Sequence, residues 1–143
     1  MHYRHHIAKP LLYAVLLNSI KMREIKFRGK GVSGWNYGLL THDTKIDDNY
    51  EWFISNKAGK PYAFVVYPTS IGQFTGFTDR NGNEIYEGDI LQYSLGLQDY
   101  KIHVSFDEER GCWHLARDYK YSEILGNVFD NPELLGGVAQ HSI

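Results

Sequence analysis

Residues 76–90 read GFTDRNGNEIYEGDI and gather four carboxylates, Asp79, Glu84, Glu87 and Asp89, with two asparagines and three glycines. Oxygen ligands at alternate positions are what a calcium loop uses, with glycine at the sixth position and a bidentate glutamate at the twelfth. Counted from Asp79, the ligands Asp79, Asn81 and Asn83 fit. The sixth position is Glu84 and the twelfth is Ile90, so the calcium reading fails at both defining places. Catalysis by Glu84, Glu87 and Asp89, alone or through a divalent metal acting on phosphodiesters, needs two carboxylates held at a defined separation. No base or nucleophile stands near them in the sequence. The turn reading accounts for more of the residues. Asn81-Gly82 is a hairpin dipeptide suited to a type I′ turn, which needs positive φ at both central positions. Asp79 can accept hydrogen bonds from the amides that follow it, and Gly88 permits a bend before Asp89. Asp79, Asn81, Gly82 and Gly88 are therefore read as structural.

A second set is basic. Lys26, Arg28 and Lys30 alternate, so an extended strand would place them on one face. Trp35, Tyr37 and Trp52 are aromatic platforms within reach in sequence. A basic groove with stacking rings is how small barrels hold single-stranded nucleic acid. The competing reading is a solvated strand face beside an aromatic core. A third set is Cys112 and His114, which project to the same side of a strand about 7 Å apart, with His103 as a further zinc ligand. A free cysteine is more often a buried small hydrophobe, and that is the reading taken for Cys112. No cofactor and no metal site is assigned.

The elements that must position these residues are strands. Ile25 and Phe27 alternate with Lys26 and Arg28. Tyr62, Phe64 and Val66 form one row; Leu91, Tyr93 and Leu95 form another. Tyr100, Ile102, Val104 and Phe106 alternate with Lys101, His103 and Ser105 in the longest such run. Period-two alternation marks half-buried strands. GCWHLAR and SEILGNVF are two more candidates. KAGKP, DRNGN, DEERG and DNP punctuate the runs as turns. PTSIG and NPELL are short helical candidates, with Asn131 as a cap and Pro132 at the first helical position.

The bulk composition sets limits. The chain has 143 residues, 43% hydrophobic, with 11 Tyr, 7 Phe and 3 Trp. That is one domain with a real core, rich in residues that suit a pleated surface. The net charge of -2 gives no global attraction for nucleic acid or an anionic membrane. One cysteine excludes an internal disulfide and a multi-cysteine zinc site, in keeping with a reducing cytoplasm. Residues 1–21 differ from the rest: a basic, histidine-bearing start precedes LLYAVLL, an apolar run far short of the roughly 20 residues a spanning helix needs. They are read as an appendage, residues 22–135 as the β domain and 136–143 as a flexible tail. No membrane partner is expected.

REIKFRGK (23–30), SIGQFTGFTDRNGNEIYEGDIL (70–91), VSFDEERGCWHL (104–115) and EILGNVFDNPELL (123–135), in that order, resemble the YopX family of bacteriophage and prophage proteins. The resemblance implies a phage-encoded, mostly β, oligomeric protein of the bacterial cytoplasm. It brings no biochemical activity and no catalytic residues. The expected fold is mainly antiparallel β, a small barrel or sandwich with strands from Arg23 to Phe129. Residues 87–129 are expected to form an SH3-like barrel. The expected function is that of an accessory protein acting by binding as a homo-oligomer. The alternatives are a nucleic-acid module using Lys26, Arg28 and Lys30, and a metal-dependent enzyme using Glu84, Glu87 and Asp89.

Overall fold

The structure, a computed structural model, describes residues 22–43, 52–55 and 62–137. The appendage at 1–21, the KAGKP turn from residue 57 to 61 and the tail from 138 onward lie outside the described residues. Within them the chain is a succession of antiparallel strands: β1 (Phe27–Gly31), β2 (Gly34–His42), β3 (Trp52–Ser55), β4 (Ala63–Val65), β5 (Gly72–Thr78), β6 (Glu84–Tyr86), β7 (Asp89–Leu95), β8 (Gln98–His103), β9 (Ser105–Asp107), β10 (Cys112–His114) and β11 (Glu123–Asn127). They form a six-stranded sheet in the order β4-β3-β2-β1-β5-β6, a three-stranded sheet β11-β7-β8 and a two-stranded β9-β10 hairpin. The two short helical candidates are 3-10 helices, Pro68–Ser70 and Pro132–Gly137, and a third spans Tyr119–Tyr121.

The mainly antiparallel β reading holds, but the sheets are open and residues 87–129 do not close into a barrel. The reason lies at Val104. The alternation Tyr100-Ile102-Val104-Phe106 suggests one long strand, and Ile102 and Val104 are indeed buried. However, the Val104 amide donates to the Asp89 carbonyl, and the Val104 carbonyl accepts from the Gly88 amide. The strand ends there. Ser105 to Asp107 turn away and pair with His114 to Cys112 instead, which leaves Phe106 exposed with its ring edge-on to Trp113 at 5.0 Å.

The main core joins the sheets from within. Ile85, Leu91, Ile102, Val104 and Ala116 are buried together, with Phe77, Tyr93, Leu115, Tyr119 and Ile124 packed around them. Burying an aliphatic side chain fully contributes about 1.5–3 kcal/mol, so these residues carry the apolar stabilisation of the second half. β7 is buried on both faces at its start, where Ile90 and Leu91 are each 0% exposed, and opens toward solvent at Ser94 and Leu95. Its connection to β8 is a two-residue loop, since Leu95 pairs with Gln98. Gly96 takes the left-handed φ of +64° there, as the first central position of a type II′ hairpin turn requires.

Candidate functional site

The acidic stretch is built around Asp79. Its Oδ1 accepts from the amides of Asn81 and Asn83, each at 2.9 Å. Its Oδ2 accepts from the Ile124 amide at 3.2 Å and from Asn83 Nδ2 at 3.3 Å. The Asp79 amide donates to the Asn83 carbonyl and the Gly82 amide to the Asp79 carbonyl. Gly82 has φ +80°, and no non-glycine residue has positive φ among the described residues. The turn is therefore not type I′ with Asn81 and Gly82 at its centre. It is a three-residue loop, Arg80-Asn81-Gly82, in which a type I turn is followed by a left-handed glycine. Burial works to raise the Asp79 carboxyl, and the amides of Asn83 and Ile124 outweigh it, holding the group below its ordinary value. All four donors are supplied by the protein, so Asp79 is occupied as a structural acceptor joining this hairpin to β11.

The basic and acidic sets, separate in the sequence, meet in the fold. β1 runs beside β5, and the turn at Asp79 returns the chain so that β6 and the start of β7 come back under β1. Lys26 Nζ lies 2.5 Å from Glu84 Oε1 and 3.2 Å from Glu24 Oε1. Arg28 is buried, with Nη2 2.7 Å from Asp89 Oδ1 and 3.3 Å from the Glu87 carbonyl. Its guanidinium stacks on Trp35 at 4.8 Å and Tyr86 at 5.2 Å. Lys30 pairs with Asp130, which also accepts from Trp35 Nε1 at 2.8 Å. Glu84 Oε2 in turn accepts from the Tyr86 hydroxyl at 2.9 Å. The solvated stripe of three cations is thus corrected at its centre. Arg28 is withdrawn from solvent because Asp89, 1% exposed, needs a counter-charge, and its neighbours are each ion-paired. Trp35 and Tyr37, the rings suggested for base stacking, pack against Phe129 and Tyr86.

Glu84 and Asp89 line one recess with Arg28, Tyr37 and Tyr86, each engaged by partners of its own. Glu84 faces Lys26 and Tyr86, whereas Asp89 points inward and accepts from the Tyr86 amide at 2.8 Å. Burial pushes the Asp89 carboxyl above its ordinary value, and the Arg28 guanidinium and the Tyr86 amide pull against it. Burial likewise pushes the Tyr86 hydroxyl far up, and the Glu84 carboxylate adds to it. Gly88, between Glu87 and Asp89, has φ +89° and bonds through its amide to Val104 and through its carbonyl to the Val128 amide, so it marks the junction of the sheets. Burial lowers His103, with Glu87 opposing and His114 assisting. Among the described residues no group of three or more His, Cys, Asp or Glu side chains is placed to hold a metal ion. Cys112 is exposed rather than buried, because β10 belongs to the outlying hairpin and not to a central sheet.

A different feature, absent from the sequence reading, is an open cleft of about 630 Å³ between the end of β7, the β9-β10 hairpin and the segment that follows it. Tyr93, Ile102, Trp113, Leu115 and Tyr121 supply apolar and aromatic walls, and Arg110 and Arg117 lie along it. Among the described residues none accepts from the buried Trp113 Nε1. The cleft's apolar lining is open to solvent, with Leu95 56% and Tyr121 77% exposed, and Leu97 at the hairpin tip is fully so. The one signal for this in the sequence is LGL at a hairpin tip, where polar residues are the rule. No helix among the described residues is long and apolar enough to cross a membrane.

A family model described as "YopX protein" matches residues 26–136, from the cation strand through the last 3-10 helix. No curated protein matches the chain. Among solved structures, the chain is similar to the crystal structure of protein EF1440 from Enterococcus faecalis. The identity is 23% and the TM-score 0.46, over 80% of this chain and 99% of that one.

Proposed function

The chain belongs to the YopX family, and on that premise we propose that it is a phage- or prophage-encoded accessory protein of the bacterial cytoplasm that acts by binding, in self-associated form, and performs no chemistry of its own. One observation carries this reading. Asp79, Glu84 and Asp89 are engaged in turn hydrogen bonds and ion pairs, while the open cleft beside β7 has apolar and aromatic walls. The occupant that fits is an apolar segment of a protein partner. A small molecule would fill the cleft alone, but its wall residues Leu95 and Tyr121 are largely exposed and Leu97 at the adjoining hairpin tip is fully so, an apolar patch that a larger partner covers. Trp113, Tyr121, Arg110 and Arg117 are also of the types that dominate binding energy at protein interfaces.

The test uses 8-anilinonaphthalene-1-sulfonate, a probe that fluoresces in apolar clefts. Wild type should bind it while folded. Leu95→Asp and Tyr121→Asp, both at exposed positions, should reduce the fluorescence and leave the melting temperature unchanged. No binding by the folded wild type, or equal binding by both variants, contradicts the reading.

A further inference from the structure

The exposed edge of β8 has a charge pattern that matches itself. Among the described residues β8 is the outer strand of β11-β7-β8, and its pairing with β7 runs without a register shift over Gln98 to His103. Other sheet edges are poorer templates. β4 and β6 are three residues long, and β11 carries a bulge between Ile124 and Gly126. An unpaired regular edge is a ready site for strand addition.

The direction of its free backbone groups follows from the ladder. Antiparallel pairs alternate between hydrogen-bonded and non-hydrogen-bonded positions. The Val104 amide donates to the Asp89 carbonyl. Two residues apart along the register, Ile102, Tyr100 and Gln98 turn their amides and carbonyls inward to Leu91, Tyr93 and Leu95. The intervening residues, Asp99, Lys101 and His103, turn theirs outward. Asp99 and Lys101 also share one face of the strand; the Asp99 carboxylate accepts from Ser94 Oγ at 2.5 Å and from Gln92 Nε2 at 3.3 Å, neutral donors that leave it its charge.

We infer that β8 pairs antiparallel with β8 of a second copy of this chain about a two-fold axis at Tyr100, joining two three-stranded sheets into one of six. This rests on the proposed self-associated form and names its interface. In this register Asp99 of each copy lies opposite Lys101 of the other, in hydrogen-bonded positions, so that one axis makes the same opposite-charge pair twice. Tyr100 meets Tyr100 at a non-hydrogen-bonded position, where side chains approach closely. Within one copy Tyr93 and Tyr100 already stack at 5.6 Å with rings 21° apart, so the dimer extends the stack to four rings. The same register sets exposed Leu97 of one copy beside His103 of the other. A lysine on an edge strand ordinarily deters pairing; here the acid two residues away lies opposite it across the axis. The two-fold axis is perpendicular to the sheet, so both clefts, which Tyr93 lines, open on the same face of the dimer.

The test is sedimentation of the full chain across micromolar concentrations, with charge reversals. Wild type should sediment with the mass of at least a dimer. Asp99→Lys and Lys101→Asp should each weaken association by about tenfold or more, because each puts two like-charge pairs in the interface. The double variant, with the pair reversed in both copies, should restore it. Circular dichroism melts confirm that each variant is folded. A monomeric wild type, single variants that associate as tightly as wild type, or a double variant that stays dissociated would each overturn the inference. Cleft binding of the fluorescent probe by a monomeric wild type would leave the binding reading standing while removing this interface.

Discussion

Arg28 of β1 and Asp89 of β7 meet at 2.7 Å inside the protein, and their contact fastens the six-stranded sheet to the three-stranded one. Trp35 and Tyr86 flank the guanidinium, and the second oxygen of Asp89 is taken by the Tyr86 amide. The pair is desolvated, so its value to the fold lies less in net stability than in what its loss leaves behind. Removing one partner strands a buried charge, at a cost of about 3–5 kcal/mol.

Gly82→Val should destabilise the domain by about 1–3 kcal/mol, the range for a residue forced into the left-handed region. A Cβ at Gly82 would meet nothing within 4 Å, so the whole cost is backbone strain. Chemical denaturation should show a lower midpoint with an unchanged slope.

Asp79→Asn reads as mild in the sequence, because an amide oxygen still accepts turn hydrogen bonds. The structure gives the opposite expectation. Both Asp79 oxygens face donors, so the NH2 group that the substitution introduces would confront either the Asn81 and Asn83 amides or the Ile124 amide and Asn83 Nδ2. The expected cost is about 1.5–3 kcal/mol, the range for hydrogen bonds to a charged group, comparable with Gly82→Val. The same denaturation experiment checks it.

The same residue sets an acid limb. The folded-state value of Asp79 lies below its ordinary 3.8, so as pH falls the unfolded chain binds the extra proton first. Stability from this group is complete above the unfolded value and is lost as pH falls through the folded one. Melting temperatures of wild type should drop over that acid window. Asp79→Asn should drop less steeply there, from a lower starting point.

Trp113→Phe should change stability by less than about 1 kcal/mol despite the buried indole nitrogen, because it removes a donor for which no described residue supplies an acceptor and so relieves a desolvation cost. The edge-on packing against Phe106 survives in kind. Trp35→Phe makes the contrast, since the Trp35 indole nitrogen donates to Asp130. Parallel thermal melts compare the two.

Much of the fold was legible because alternation is a local signal. The runs that became β1, β7, β8, β10 and β11 stand out by period two, and the place of the turn at Asn81-Gly82 is plain from its residues. Its type was not, because the choice depends on Asp79 receiving the Ile124 amide from a distant strand. The end of β8 was hidden for the same reason: Val104 continues the alternation, and only its exchange with Asp89 and Gly88 shows that the strand stops. The charged sets were visible one by one. That Lys26 answers Glu84 and Arg28 answers Asp89 depends on tertiary proximity, which no local pattern encodes. The cleft was not visible because its walls come from segments that look like separate core strands.

The claim at the centre of this account is that Lys26 and Arg28 have Glu84 and Asp89 as their structural partners. A double-mutant cycle of Arg28→Met and Asp89→Leu, read by denaturant unfolding, tests it most directly. The account predicts that each single variant loses about 3–5 kcal/mol, that the double variant loses clearly less than their sum, and that the coupling is about 1–3 kcal/mol or more. Single losses that simply add, or an Asp89→Leu variant as stable as wild type, would contradict it and return Asp89 to the list of residues free for chemistry.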